Sequence, residues 1–365
     1  MIPVRSAAKT LGLVVGAASA AAGALWAAER VENARVRRRP DPDAHRDLRI
    51  KYDESLSFPS YDEGTIHIAI RGDVKNPPIV FLHGVTINSH VWVKQFETLP
   101  DHGFRTIAID SRGHGDSQCG TSGFSIANLA QDLHDALDAI DVHDAILVGH
   151  SNGGVAVQAY AIDDPEALHE RVRGLVLLSS LARGGVTHIQ WIRSAARAMS
   201  DRSPSFASVM GRRDLGFALS RIGFGRAPQA SHVELTRQML ADCPVDTSRG
   251  ALAALVGFDL TPGLPHIDLP TLVVQGTADV LTPPADGRRI AKLIPRARLA
   301  MVRGAGHMIM LEEPDQLEQL IVDFAREIGT APAPAAVEAA ALPISAAGAD
   351  VGDGDQWRAA GGGAP

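Results

Sequence analysis

The chain has 365 residues, of which 45% are hydrophobic and 21% charged, and its formal net charge is −7. This size and balance suit one large folded domain with an insertion, and a net negative chain gives no reason to expect nucleic acid as a partner. Cys119 and Cys243 lie far apart and match neither metal-ligand nor Cys-x-x-Cys spacing. No Gly-x-Gly-x-x-Gly or Walker loop occurs. We therefore expect no metal and no nucleotide or other cofactor.

Residues 1–45 form a segment of their own. Thr10 to Ala28 carries no charge and is long enough to cross a bilayer, and a basic cluster that includes Arg35 to Arg39 follows it. Basic residues on that side favour a membrane anchor with the folded body in the cytoplasm. Two alternatives stay open: a helix packed on a soluble protein, or a cleaved signal peptide of a secreted one. We expect membrane association through residues 10–28.

Two buried strands are predicted next along the chain. Pro78 to Leu82 runs into His83-Gly84-Val85, and Arg105 to Ile109 ends in a polar loop that begins at Asp110. A helical pattern follows over Ser125 to Ile140. Four polar residues in these loops are expected to shape the backbone rather than react: His83, Asp110, His114 and Asp116.

The central motif is Gly149-His150-Ser151-Asn152-Gly153, which follows the apolar run Ala145 to Val148 and precedes a helical stretch from Gly154 to Ala161. A strand, Gly-x-Ser-x-Gly and a helix in this order are typical of a nucleophile elbow, where a sharp turn exposes the serine hydroxyl. Glycines flank the serine because strand and helix pack closely at the turn. We expect His150 to pack beside the serine without reacting.

Three further strands are predicted downstream: Gly174 to Leu178, Thr271 to Gln275, and Leu299 to Val302. The second leads to Asp279 and the third leads through a Gly-Ala-Gly turn to His307. A helical pattern over Pro314 to Ile328 closes the series. Either Asp279 or Asp286 could supply a carboxylate to pair with His307. The loop after Leu178 reads Ser-Ser-Leu-Ala and offers no carboxylate.

This set of motifs resembles the α/β-hydrolase family over about residues 60–328, in the chain order Ser, Asp, His that the family uses. The resemblance implies an α/β fold with a mostly parallel central sheet, helices on both faces and a helical cap. The implied divisions are a core at 46–182 and 267–328, a cap at 183–266, and a tail at 329–365 rich in Ala, Pro and Gly that we expect to be disordered. The cap contains ten Arg, no Lys and six acidic residues, which indicates either a solvated face or attraction to acidic substrates or lipid headgroups.

The resemblance also implies roles for single residues. Ser151 would be the nucleophile, His307 its general base and Asp279 the residue that orients the imidazole. The backbone N–H groups of Val85 and Asn152 would form the oxyanion hole. We expect a serine hydrolase that cleaves small-molecule carboxylic esters, lipid-like or with small acyl groups, through an acyl-enzyme.

Alternatives on the same three residues are a cofactor-free haloperoxidase or perhydrolase and a hydrolase of carbon–carbon bonds. A non-catalytic binding module of the same fold is a further alternative, although it would have no need of all three groups. Serine at position 151 argues against the dehalogenase and epoxide hydrolase branches, which have aspartate there.

Overall fold

The computed structural model describes residues 30–184 and 206–330, with only the backbone of Phe206 included. The predicted membrane segment at 10–28, part of the predicted cap at 185–205 and the tail from 331 onward lie outside this range. Within the described residues no helix combines the length and the apolar character needed to cross a membrane. Membrane association through residues 10–28 therefore stays a prediction from the sequence.

The described residues form one sheet of eight strands in the order β1-β2-β4-β3-β5-β6-β7-β8. Strands β3 to β8 are parallel, and β1 and β2 join them as an antiparallel edge. The strands are β1 (Glu54–Pro59), β2 (Thr65–Arg71), β3 (Pro78–Leu82), β4 (Arg105–Asp110), β5 (Ala145–His150), β6 (Val172–Leu178), β7 (Thr271–Gly276) and β8 (Ala297–Val302).

Helices cover both faces of this sheet. They are α1 (30–37), α2 (Val93–Thr98), α3 (Ile126–Ala139), α4 (Asn152–Asp163), α5 (Pro165–Arg171), α6 (Phe206–Gly211), α7 (Arg213–Arg221), α8 (Ala230–Asp242), α9 (Val245–Ala254), α10 (Pro284–Leu293), α11 (Ile309–Glu312) and α12 (Pro314–Glu327). Short 3₁₀ turns occupy Ser89–Trp92, Leu99–His102 and Leu264–His266.

Two hydrophobic cores lie on opposite faces of the sheet, because successive side chains of a strand point to opposite sides. In β3, Phe81 belongs to the core beneath α2 and α12, whereas Val80 and Leu82 belong to the core beneath α3 and α4. The central strand β5 is buried along its whole length. A strand buried on both faces is typical of a parallel sheet covered by helices, which confirms the fold class predicted from the sequence.

The interval between β6 and β7, where the sequence predicts a cap, contains the four described helices α6 to α9. The N-terminal segment packs against these helices. The guanidinium of Arg37 lies 2.8 Å from the carboxylate of Asp214 and over the ring of Phe217, and Arg39 donates to the carbonyl of Arg226. At least these two arginines of the basic cluster thus contact residues of the predicted cap. We call residues 30–50 the N-terminal strap.

Asp43 joins the strap to both the cap and the core. Its carboxylate lies 2.9 Å from the ring of His232 on α8 and 2.6 Å from the ammonium of Lys94 on α2. Burial opposes its ionisation, but hydrogen bonds from Lys94 and His232 outweigh that cost and lower the pKa of Asp43 to about 2. Asp43 thus stabilises the folded state as an ionised group.

Asp43→Ala is therefore expected to lower the free energy of unfolding by about 2–4 kcal/mol, because it leaves Lys94 and His232 without their acceptor. The contribution is present above the ordinary carboxyl pKa of 3.8 and is lost as the pH falls toward 2. Urea unfolding at pH 7 measures it, with exposed Asp101→Ala as the control. Equal stability of the two variants would show that the strap contact contributes nothing.

Candidate active site

Ser151 lies at the turn between β5 and α4 with φ +52° and ψ −115°, a backbone region that residues other than glycine rarely adopt. The flanking glycines permit the turn. A Cβ on Gly149 would lie 2.6 Å from the carbonyl oxygen of Gly153, and a Cβ on Gly153 would overlap the carbonyl of Leu82 on β3. The steric reason that the sequence suggested for these glycines is thus present in the structure.

The backbone of Ser151 is anchored on the end of β6. Its N–H donates to the carbonyl of Leu178 at 2.9 Å, and its carbonyl accepts from the Ser180 hydroxyl at 2.9 Å. In the described part of the chain its own hydroxyl caps no N–H group of α4. The backbone of Ser151 is thus held in place, while its hydroxyl is not used to cap the helix.

Asp279 and His307 come together from the loops after β7 and β8. The Oδ2 of Asp279 lies 3.0 Å from the Nδ1 of His307, and both residues are more than nine-tenths buried. The two loops are also joined by a hydrogen bond from the Ala278 N–H to the Ala305 carbonyl. Asp286, the alternative acid, lies in the first turn of α10, and no contact between it and His307 occurs among the described hydrogen bonds.

Four more donors surround the Asp279 carboxylate. The N–H groups of Leu281 and Thr282 donate to Oδ1 at 2.9 Å each, while Gln275 Nε2 and the Thr282 hydroxyl lie 3.1 and 2.7 Å from Oδ2. Burial opposes ionisation, but the interactions with His307 and Thr282 prevail and lower the pKa of Asp279. The group is therefore a carboxylate at neutral pH.

Gln275 and Thr282 are site residues that sequence reasoning missed. Gln275 is fully buried, and in the sequence it directly follows the apolar run Leu272 to Val274, so a polar residue inside a predicted buried strand was the available signal. Thr282 Oγ1 also lies 3.1 Å from His307 Nδ1 and 2.9 Å from the Ser179 carbonyl. Both side chains hold the Asp279 carboxylate against the ring of His307.

His150 links the elbow to the histidine loop. Its Nε2 lies 3.1 Å from the carbonyl oxygen of His307, and the two ring centroids are 4.6 Å apart. Burial keeps the pKa of His150 well below its usual range, so the ring is neutral and Nε2 donates. This contact places His307 directly beside the residue that precedes Ser151.

The two expected oxyanion donors border the same serine. Asn152 begins α4, and a Cβ on Gly84 would lie 3.2 Å from the Cβ of Ser151, so the Gly84–Val85 backbone passes next to this serine. Neither the Val85 nor the Asn152 N–H donates a hydrogen bond to another group of the described residues. Two N–H groups beside one serine, one of them at a helix N-terminus, suit a developing negative charge.

Two buried histidines shape the loop that contains Val85. His114 Nε2 accepts the N–H of Thr86, and His83 Nε2 accepts the N–H of Ser111. Burial lowers the pKa of His83 to about 4 and that of His114 to about 3, so both rings are neutral acceptors. Their hydrogen bonds agree with the structural role expected from the sequence.

His67, Asp110 and Asp116 place potential metal-ligand atoms within 4.8 Å of one another. Both Asp110 oxygens, however, accept backbone N–H groups, one from Ser89 at 2.8 Å and one from Asp116 at 3.1 Å. Asp116 is mostly exposed. The cluster is explained by loop hydrogen bonding, and we assign it no metal.

A family model described as the alpha/beta hydrolase fold matches residues 77–314, which include the elbow, Asp279 and His307. The chain belongs to the α/β-hydrolase family. Among curated relatives, this α/β-hydrolase is 30% identical over 252 residues to a non-heme chloroperoxidase of Kitasatospora aureofaciens, covering 66% of this chain and 88% of the relative. It is 25% identical over 264 residues to a 3-oxoadipate enol-lactonase of Acinetobacter baylyi, covering 72% and 94%.

Solved structures give the same fold. An esterase from Exiguobacterium antarcticum superposes with a TM-score of 0.66 at 22% identity, over 74% of this chain and 99% of the other. A bromoperoxidase from Bacillus anthracis gives 0.66 at 19% identity, over 75% and 100%. At these identities the likeness shows the fold of this α/β-hydrolase and not its substrate.

Proposed function

We propose that this α/β-hydrolase cleaves carboxylic esters of small molecules through an acyl-enzyme, with Ser151 as nucleophile, His307 as general base and Asp279 as the orienting acid. The observation that supports this most is the buried 3.0 Å hydrogen bond between Asp279 and His307 beside an elbow serine. Family members named esterase and enol-lactonase agree with it, since a lactone is a cyclic ester.

The first half of the reaction forms the acyl-enzyme. Asp279 accepts the Nδ1–H of His307, which leaves Nε2 as the basic nitrogen. Nε2 takes the proton of the Ser151 hydroxyl while Oγ attacks the ester carbonyl. The negative charge on the carbonyl oxygen is stabilised by the N–H groups of Val85 and Asn152. His307 then returns the proton to the leaving alkoxide, and the alcohol departs.

The second half regenerates the enzyme. A water molecule gives a proton to His307 Nε2 and attacks the acyl carbon, through the same oxyanion donors. Collapse of this intermediate breaks the bond to Ser151 Oγ, which takes back the proton, and the carboxylic acid is released. Asp279 stays ionised throughout and stabilises the imidazolium in both halves.

Perhydrolysis is the second candidate, because a curated relative at 30% identity is named a non-heme chloroperoxidase. Here hydrogen peroxide replaces water in the second half and gives a peroxycarboxylic acid instead of the acid. The same residues serve both reactions, so the choice depends on which nucleophile reaches the acyl-enzyme.

A panel of p-nitrophenyl esters of increasing acyl length tests the proposal, with labelling by a fluorophosphonate probe alongside. We expect turnover of at least one ester, covalent labelling at Ser151, and loss of labelling after preincubation with the best ester. Adding hydrogen peroxide and measuring peracid formation separates the second candidate. If Ser151 is labelled but neither ester hydrolysis nor peracid formation is detected, both reactions are rejected. If Ser151 is not labelled, it is rejected as an activated nucleophile.

A further inference from the structure

The loop that contains His307 packs directly on residues 223–226 of the predicted cap, between α7 and α8. The N–H of His307 donates to the carbonyl of Gly223 at 2.8 Å, and the N–H of Arg226 donates to the carbonyl of Gly304 at 3.0 Å. The contact leaves no room for side chains, since a Cβ on Gly306 would lie 2.5 Å from the nitrogen of Gly225. The position of His307 is thus tied to the cap segment 223–226.

A single carboxylate, that of Glu312 on α11, bonds to both partners of this contact. Its Oε1 accepts the N–H of Gly306 at 2.9 Å, and its Oε2 accepts the N–H of Gly225 at 2.6 Å. The N–H of Met308 also favours the ionised form of this carboxylate and so opposes a rise of its pKa. Gly306 directly precedes His307 in the chain, so one oxygen of the carboxylate holds the histidine loop and the other holds the segment of the predicted cap at Gly225.

We propose that Glu312 is a positioning residue that couples the cap to the catalytic histidine by clamping the 304–308 loop to the 223–226 segment. The inference rests on the proposed role of His307. A misplacement of about 1 Å costs on the order of a hundredfold in rate, so a clamp adjacent to the base affects kcat more than substrate binding.

The charge of Glu312 gives the clamp a pH dependence. Burial raises its pKa to about 7; the three N–H donors oppose that rise and the negative charge of Asp279 adds to it. Among the described residues, His307 in the clamped loop and Arg226 of the predicted cap also take part in this contact. Above this pKa both carboxylate oxygens accept, one from the N–H of Gly306 and one from the N–H of Gly225, and protonation below it removes part of that capacity.

Glu312→Gln replaces one acceptor oxygen by a donor and so imitates the protonated state at every pH. Against a p-nitrophenyl ester at pH 8.5 we expect kcat to fall by about 10- to 100-fold with KM within about twofold. Because wild type becomes protonated on acidification, the ratio of wild-type to variant kcat should approach one at about pH 5.5.

Glu313→Gln is the matched control, since Glu313 is the exposed neighbour on the same chain segment. It should follow wild type at every pH. If Glu312→Gln is poorly folded by circular dichroism, Glu312→Asp is measured instead: it keeps the charge but is shorter by one methylene, and its deficit should likewise be largest at high pH.

A loss of activity independent of pH, or kinetics of Glu312→Gln equal to those of Glu313→Gln, would overturn the clamp. The rate of fluorophosphonate labelling is measured in the same variants, because it needs His307 but no ester turnover. If the wild-type enzyme reacts with the fluorophosphonate but hydrolyses no ester, the ester proposal is rejected. The labelling rates of the wild type and the Glu312 variants then decide whether the clamp exists. If the wild-type enzyme does not react with the fluorophosphonate, both the ester proposal and the clamp are overturned.

Discussion

Replacing Ser151 with alanine is expected to lower kcat on a p-nitrophenyl ester by about 10⁵- to 10⁶-fold, the usual cost of removing the nucleophile. Stability should change little. Among the described contacts the hydroxyl caps no helix N–H, and alanine keeps the Cβ that the serine already places at φ +52°. The loss is therefore one of chemistry and not of folding.

Stopped-flow or steady-state release of p-nitrophenol measures this loss, and thermal unfolding checks the fold. Ser122→Ala, which changes an exposed serine, is the control and should retain wild-type kcat. If Ser151→Ala keeps more than about a tenth of wild-type kcat, a loss far below the usual cost of a triad residue, Ser151 is not the nucleophile. Fluorophosphonate labelling should disappear in the same variant.

Much of the sheet could be predicted because its central strands are buried on both faces. Each of the six predicted strands lies within one of the observed strands β3 to β8, since a continuous apolar run bounded by glycine or polar residues has few other interpretations. The proposed catalytic residues were found for a related reason. Ser151, Asp279 and His307 each follow the carboxyl end of such a strand, where ligands of open α/β sheets bind.

The two antiparallel strands β1 and β2, at one end of the sheet, could not be predicted in this way. Neither strand contains a continuous apolar run: exposed and half-buried residues alternate along much of β1, and half-buried and buried residues alternate at the start of β2. Contacts between distant segments were also inaccessible. Asp43 and His232 are in contact although they are 189 positions apart in the chain. No local sequence pattern indicates that the N-terminal strap contacts the predicted cap.

Glu312 shows the same limit at the site itself. It lies five positions after His307 in the chain, and its sequence context reads only as the last residue of a short helix. Its proposed role depends on its hydrogen bond with the backbone N–H of Gly225. Gly225 is 87 positions away in the chain and lies near Glu312 only in the folded protein. Backbone N–H groups leave no trace in the sequence, so an acceptor for them can be recognised only in three dimensions.

Asp279→Asn is expected to lower kcat by about 10⁴-fold, less than the loss of Ser151 or His307 but still severe. The reason is the hydrogen-bond arrangement around Oδ2, which accepts from Gln275 and lies within reach of Thr282 and His307 Nδ1. An amide NH₂ at that point is a donor, so His307 is favoured to carry its proton on Nε2. That tautomer cannot accept the proton of Ser151.

Steady-state kinetics of Asp279→Asn and Asp286→Asn on one ester decide which carboxylate orients His307. Asp286 lies in the first turn of α10, and the described hydrogen bonds of His307 do not include it, so Asp286→Asn should remain within about tenfold of wild type. His307→Ala should lose about as much as Ser151→Ala, and the double variant scarcely more, because the residues act as a unit. Full activity in Asp279→Asn with loss in Asp286→Asn would move the acid to Asp286, and the buried hydrogen bond at 3.0 Å would then be structural only.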